Sequence, residues 1–242
     1  MLNFTAMIAI IPQKEWFLYI KIKKMQNIPR IFISQEIEPG KSIAVDKDVV
    51  HYLRRVMRRD DCLVFNGGDE YIAKLSEDNK YMLIGDKTEH VDPSNDLTLY
   101  FAPIKKLDDL INMTTQMGIG AFVPVITKRT VANHINWTRI RKIMVEASEQ
   151  SGRNSVPMLA EPIKFDDLDL KGLIVADERF AHGKESEDKK VSGKRLLIGP
   201  EGGFSEDEFE KMDKAGVVGL SLGKTILRAE TAAVVATAKV LG

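Results

Sequence analysis

The sequence predicts an α/β domain built on a parallel sheet, preceded by a smaller unit of short β-strands. Three observations predict it. From about residue 97 onward, short apolar runs alternate with helix-length segments, the pattern of a parallel α/β sheet. Before residue 90 the apolar runs are short and alternating, and one pair is joined by Asn66-Gly67-Gly68-Asp69, a strong hairpin turn because Asn and Gly tolerate positive φ. Between them lies HVDPSND, residues 90–96, a polar stretch whose Pro93 suits a linker.

Composition sets the bounds. At 242 residues there is length for one large domain or two small ones. An apolar content of 44% and a charged content of 29% are those of an ordinary soluble globular chain. The net charge of +0 gives no global field toward nucleic acid, so any such attraction must come from local patches. The lone Cys62 excludes an intramolecular disulfide and fits a reducing, cytoplasmic setting. His51, His90, His134 and His182 show no metal-ligand spacing, so no metal is expected, and no apolar stretch reaches membrane-spanning length.

In chain order, residues 1–24 contain a short apolar run, MLNFTAMIAIIP, without the basic start and cleavage site of a signal peptide. They are expected to be a poorly ordered extension ahead of a natural start near Met25; an added edge strand, IAII or WFLYIKI, is the alternative. RIFI, SIAV, CLVFNGG, EYIAKL and YMLIG then read as small strands of a compact β-barrel. One helix interrupts them, VVHYLRRVMRR from Val49 to Arg59. Val49, Leu53 and Val56 are expected inward, while Arg54 with Arg58 and Arg55 with Arg59 stack outside at helical spacing. Those four arginines are either a phosphate-binding face or a solvated one offset by Asp60 and Asp61.

In the α/β part, LTLYFAP (Leu97 to Pro103), AFVPVIT (Ala121 to Thr127), GLIVADE (Gly172 to Glu178), Leu196 to Ile198 and VVGLSLG are the expected strands. Leu107 to Gly118 is an expected helix with Leu107, Leu110, Ile111 and Met117 near one face. A second helix covers Ile140 to Ser151 and runs into Gly152-Arg153-Asn154, a helix end where capping competes with RNA or active-site contact. A charged loop follows Arg179, and helices cover Glu206 to Lys214 and Arg228 to Leu241.

Two glycine-punctuated turns organise this last third: LLIGPEGGFS, Leu196 to Ser205, and LGKTILRAETAA, Leu222 to Ala233. In the first, Gly199-Pro200 ends a strand, Gly202 and Gly203 permit close backbone approach, and Ser205 with three following acids starts a helix. Open α/β sheets bind ligands at the carboxyl ends of their strands. Here the strand-end loops are Asp177-Glu178, Gly199 to Phe204 and Leu222 to Arg228. Leu222, Ile226 and Leu227 either flank a ligand or join the core. Glu201 and Glu230 are candidate proton acceptors, and Arg228 is a candidate cation that stays protonated at neutral pH.

GPEGGFS at Gly199 to Ser205, LR-x-ETA at Leu227 to Ala232 and EASEQSGRN at Glu146 to Asn154 stand in the order of one family's signatures. The chain resembles the RsmE-type uridine-N3 methyltransferases of small-subunit ribosomal RNA, within the SPOUT superfamily. The resemblance implies a PUA-like RNA-binding β-barrel over residues 25–92 and a SPOUT methyltransferase domain over 97–242 whose last two loops form a trefoil knot. It implies S-adenosyl-L-methionine as cofactor, bound by Ile198, Gly199, Pro200, Glu201, Gly202, Gly203, Leu222, Gly223, Ile226 and Leu227. Arg228 and Glu201 are the implied catalytic residues. Arg54, Arg55, Arg58, Arg59, Arg153 and Asn154 are the implied RNA contacts. The implied partners are 16S rRNA or the small subunit, and a second copy in a homodimer. Two departures stand out. The loop after the arginine helix is shortened, and a usual Q-K-A-T-E-L-G pattern is here Asn112 to Gly118, with Lys105 and Lys106 just upstream. A ribose 2′-O methyltransferase, or an RNA-binding protein without catalysis, is the alternative.

Overall fold

The protein is described from a computed structural model covering residues 28–92, 96–131, 135–183 and 193–242. The expected N-terminal extension, Pro93, His134 and most of the charged loop after Arg179 lie outside the described residues. The described residues divide into two compact units, the first comprising residues 28–66 with Glu70–Glu89 and the second Gly67–Asp69 with the described residues from His90 onward.

In the first unit, β1 (Arg30–Phe32), β2 (Ser42–Ala44), β3 (Asp61–Asn66), β4 (Asp69–Leu75) and β5 (Tyr81–Lys87) form one sheet in the order β1-β3-β4-β5-β2. Alternation sets its faces: Met82 and Ile84 of β5 are buried while Tyr81 and Leu83 face out. Gly67 and Gly68 both hold positive φ, 60° and 94°, as the hairpin signal requires. Cys62 is buried in this core, where desolvation pushes its thiol up to about 12, so the thiolate form is suppressed.

The expected eleven-residue helix is not what forms. Helix α1 spans only Lys47–His51, capped by the Asp46 carboxylate, which accepts the Asp48 and Val49 N–H groups. Tyr52–Met57 is then wound as a π-helix, and Arg58 ends it in the left-handed region at φ 54°. Wider winding turns Val56 outward, to 60% exposure, so only Leu53 of the inward set is fully buried. Arg58 and Arg59 lie past the helix. Arg59 is paired with Asp61 at 2.6 Å, whereas Arg54, Arg55 and Arg58 are exposed.

In the second unit, β6 (Thr98–Phe101), β7 (Ala121–Ile126), β8 (Met158–Leu159), β10 (Ile174–Ala176), β11 (Arg195–Ile198) and β12 (Val218–Leu220) form a parallel sheet in the order β12-β10-β11-β6-β7-β8. The short β9 (Ile163–Lys164) also pairs with β7. Both faces are covered, which is why the central strands read as unbroken apolar runs. Leu196 and Ile198 join Leu99 and Phe101 beneath α2 (Leu107–Gln116), α3 (Trp137–Ser151) and α5 (Ala229–Leu241). Leu197 and Val175 face the other way, onto Phe165, Phe204 and Met212 of α4 (Glu206–Lys214). The buried face of α2 includes Thr114 and Thr115, with Met117 only half-buried. Among the described residues no helix is long and apolar enough to cross a membrane.

Arg153 and Asn154, expected at an RNA surface, are instead buried inside this unit. Gly152 closes α3 at φ 76°, which turns the chain inward. The Arg153 guanidinium then donates to the Thr115 and Ile119 carbonyls, both at 2.8 Å, and the Asn154 amide donates to the His90 carbonyl at 2.9 Å. Arg153→Met keeps most of the stem but removes the Ile119 carbonyl's donor and one of those on the Thr115 carbonyl, which keeps the Gly118 N–H, and is expected to lose about 1–3 kcal/mol. Urea unfolding checks this: a lower midpoint at unchanged slope is the expected outcome, and an unmoved midpoint would reject the bracing role.

Candidate active site

The carboxyl ends of β10, β11 and β12 lie side by side, and the loops leaving them enclose a cleft of about 920 Å³. Its walls include every residue expected to hold a cofactor: Ile198, Gly199, Pro200, Glu201, Gly202, Gly203, Leu222, Gly223, Ile226 and Leu227. Arg228, Glu201 and Glu230 also line it. Residues distant in sequence thus converge where open parallel sheets bind ligands.

The glycine-rich loop after β11 has a definite shape. The Gly203 N–H donates to the Pro200 carbonyl at 2.9 Å, closing a tight turn. Gly199 has no room for a side chain, because a Cβ there would sit 2.8 Å from the Phe204 ring, which is buried beneath it. Gly203 combines φ +67° with a Cβ site only 2.3 Å from Glu178 Oε1. Gly202 differs: its φ is not positive and a Cβ would meet Arg129 at an ordinary 3.5 Å. The demand for a bare backbone, which the sequence spread over both glycines, falls on Gly199 and Gly203.

Side chains from neighbouring loops hold this shape. Glu178 Oε1 accepts the Phe204 N–H at 3.1 Å, and Glu201 Oε1 accepts the Lys105 N–H at 2.8 Å. Arg129 Nη1 donates to the Gly202 and Phe204 carbonyls at 3.0 and 3.1 Å. Ser205 and Glu208 form a reciprocal capping box at the start of α4, and Glu208 Oε1 also accepts the Lys128 N–H at 2.8 Å. Of these, Arg129 carried no local signal in the sequence, since an arginine after a strand is unremarkable until its partners are placed.

The charged groups divide sharply. Asp177 is buried and bonded to Arg179 at 2.8 Å, and Arg179 also reaches Asp213 and lies 4.0 Å above the Phe209 ring. Hydrogen bonds to Asp213 and Asp177 hold that guanidinium's pKa above its ordinary value, so it is a fixed strut. Glu230, in the first turn of α5, faces Lys106 at 3.8 Å. Burial pushes the Glu178 carboxyl above the usual range, with the like charge of Asp177 adding to it. Arg228 is the N-cap residue of α5 and is exposed. Among the described residues its side chain has no hydrogen bond or ion pair. Ile226 is 67% exposed on the cleft wall, apart from the core, while Leu222 packs against the core edge. Among the described residues no cluster of His, Cys, Asp and Glu could hold a metal.

In the first unit a second cleft, of about 580 Å³, is lined by Lys47, His51, Arg54 and Arg55 with Asp46 and Asn79. Arg54 Nε donates to Asn79 Oδ1 at 2.9 Å.

Comparison with known proteins gives four findings. Residues 92–241 match the family model described as an RNA methyltransferase domain. The chain is 34% identical to the ribosomal RNA small subunit methyltransferase E of Rickettsia conorii, covering 87% of this chain and 94% of that protein. The protein of the same name from Aquifex aeolicus is 28% identical over 84% of this chain and 95% of its own. The crystal structure of a ribosomal RNA small subunit methyltransferase E from Neisseria gonorrhoeae bound to S-adenosyl methionine superposes with a TM-score of 0.73 at 26% identity, covering 87% of this chain and 95% of that one.

The loop geometry makes two expectations. Gly203→Ala should cost more than about 1 kcal/mol, since alanine is strained at positive φ and here also strikes Glu178. Gly202→Ala should stay within about 0.5 kcal/mol of wild type. Thermal melts of the pair decide, and equal losses would refute the assignment. Glu178 carries a sign that can be worked out. Its folded pKa is raised, so in the window between its unfolded and folded pKa values the folded state binds the extra proton, and stability falls as pH rises through that window. Glu178→Gln should therefore melt above wild type at neutral pH, with the gap closing as pH drops into the ordinary carboxylate range. A gap that is constant with pH would discard this reading.

Proposed function

We propose the function from one premise, that the chain belongs to the RNA methyltransferase family: it methylates small-subunit ribosomal RNA from S-adenosyl-L-methionine, at N3 of a uridine. The observation that carries this reading is the convergence of all ten expected cofactor-binding residues on one cleft at the carboxyl ends of three adjacent parallel strands. The cleft suits the cofactor, because the turn that lines it from Gly199 to Gly203 offers backbone at three glycines for close approach. When bound, the cofactor supplies a methyl group on a sulfonium, open to in-line displacement.

The chain's own residues do the rest. The backbone from Ile198 to Gly203 and from Leu222 to Leu227 holds and orients the cofactor, with Ile226 as an apolar wall. Positioning of this kind supplies much of the acceleration in a displacement at carbon. Arg228 has a planar fork beside the cleft, without a partner among the described residues, and suits a uracil oxygen as negative charge develops there. Glu201 keeps one oxygen on the Lys105 N–H, and its second oxygen, without a described partner, is assigned to the N3 proton.

The finer reading of the architecture is supported in three ways. The first unit is taken as a PUA-like RNA-binding barrel, whose exposed Arg54, Arg55 and Arg58 contact phosphates; Arg59, paired with Asp61, adds less. The loops after β11 and β12 are taken as the trefoil knot, consistent with β12 returning past β11 to pair with β10. A homodimer is favoured by α5, which leaves Thr231, Val234, Val235, Ala238 and Leu241 half-buried or exposed on an otherwise apolar helix.

The test is nucleoside mass spectrometry of small-subunit rRNA from cells lacking this protein, after reaction with it and S-adenosylmethionine. 3-Methyluridine is the expected product, and a ribose-methylated nucleoside would overturn the N3 assignment. For Arg228, Arg228→Lys keeps the charge but loses the fork, so single-turnover methylation at saturating RNA and cofactor should slow at least about tenfold. A wild-type rate would remove Arg228 from the chemical step.

A further inference from the structure

Backbone carbonyls in a tight loop must find partners, and the glycine-rich loop has two that its own turn does not satisfy, those of Gly202 and Phe204. Both accept hydrogen bonds from one atom, Arg129 Nη1, at 3.0 and 3.1 Å. Bridging two carbonyls two residues apart fixes the curvature of the segment between them, which is the Gly203-Phe204 stretch that Glu178 grips through the Phe204 N–H at 3.1 Å.

The base on which Arg129 stands is fixed without help from its side chain. Thr127 and Thr130 close a turn around it, with Thr130 Oγ1 accepting the Thr127 N–H and sharing a hydrogen bond with Thr127 Oγ1, both at 2.9 Å. The preceding residue is docked on α4, its N–H on Glu208 at 2.8 Å and its Lys128 Nζ on Asp207 at 2.8 Å. The guanidinium therefore reaches the loop from a rigid platform, and it lines the same cleft.

We propose that Arg129 is a positioning residue for cofactor binding: its guanidinium holds the glycine-rich loop in its bound shape before the cofactor arrives. The inference rests on the methyltransferase reading of that cleft. A loop set in advance loses less conformational freedom on binding, so the effect falls on affinity and leaves the chemical step alone.

Arg129→Met removes the donor and should raise the dissociation constant and KM for S-adenosylmethionine about tenfold, the worth of hydrogen bonds from a charged group. The kcat at saturating cofactor should remain within about twofold of wild type. Arg129→Lys, a charged donor without the fork, should fall between the two. Calorimetry with S-adenosylmethionine and steady-state kinetics on the full chain read these effects, beside a thermal melt of each variant. Wild-type cofactor affinity in a folded Arg129→Met would overturn the proposal. So would a loss of RNA affinity with cofactor affinity intact, which would make Arg129 an RNA contact. A fall in kcat at unchanged KM would overturn it too. If the methionine variant fails to fold, the lysine variant decides, and unchanged affinity there rejects the role. No binding of S-adenosylmethionine by the wild type would instead defeat the methyltransferase reading, leaving the two failures distinct.

Discussion

The second unit depends on keeping a glycine-bearing turn in one conformation at the ends of parallel strands. Glycine permits the turn at Gly203 but does not enforce it, because the residue loses more conformational freedom than any other when fixed. Enforcement comes from charged side chains bonding to backbone: Glu178 on the Phe204 N–H, Arg129 on two carbonyls, and Glu201 on the Lys105 N–H. Such bonds are stronger than neutral ones and are directional. The loop is thereby tied to β10, β7 and β6 at once. The Phe204 ring under Gly199 adds a hydrophobic anchor that neither end of the loop could supply alone.

What could be read from the sequence follows from the range of the forces involved. The longer strands, the α4 cap at Ser205 and the hairpin at Gly67-Gly68 are set by neighbours a few positions away and were legible, whereas the two-residue β8 and β9 were too short to leave a pattern. The cleft was legible too, because glycine and proline punctuation marks strand ends. The helix at residues 49–59 was misread since periodicity assumes 3.6 residues per turn, and the π-winding of Tyr52–Met57 breaks that assumption at Val56. Arg153 and Asn154 could not be placed, because their partners Thr115, Ile119 and His90 are far away in the chain. The same distance hid Arg129, and it hid which glycine of the pair could not bear a side chain.

Two arginines on the same cleft show how packing separates structure from function. Arg179 is bonded to two carboxylates and covers an aromatic ring, so its charge is fully engaged in joining the β10 loop to α4. Arg228 lies on the opposite loop, at the start of α5, and engages nothing among the described residues. A cation placed at a helix N-terminus is opposed by the dipole, which favours negative charge there. Glu230 two residues on is favoured by that dipole, yet it faces Lys106 in place of Arg228. Folding therefore gains little from Arg228 in this position. A guanidinium without a partner among the described residues, beside a ligand-sized cleft, fits the anion-stabilising role proposed for Arg228.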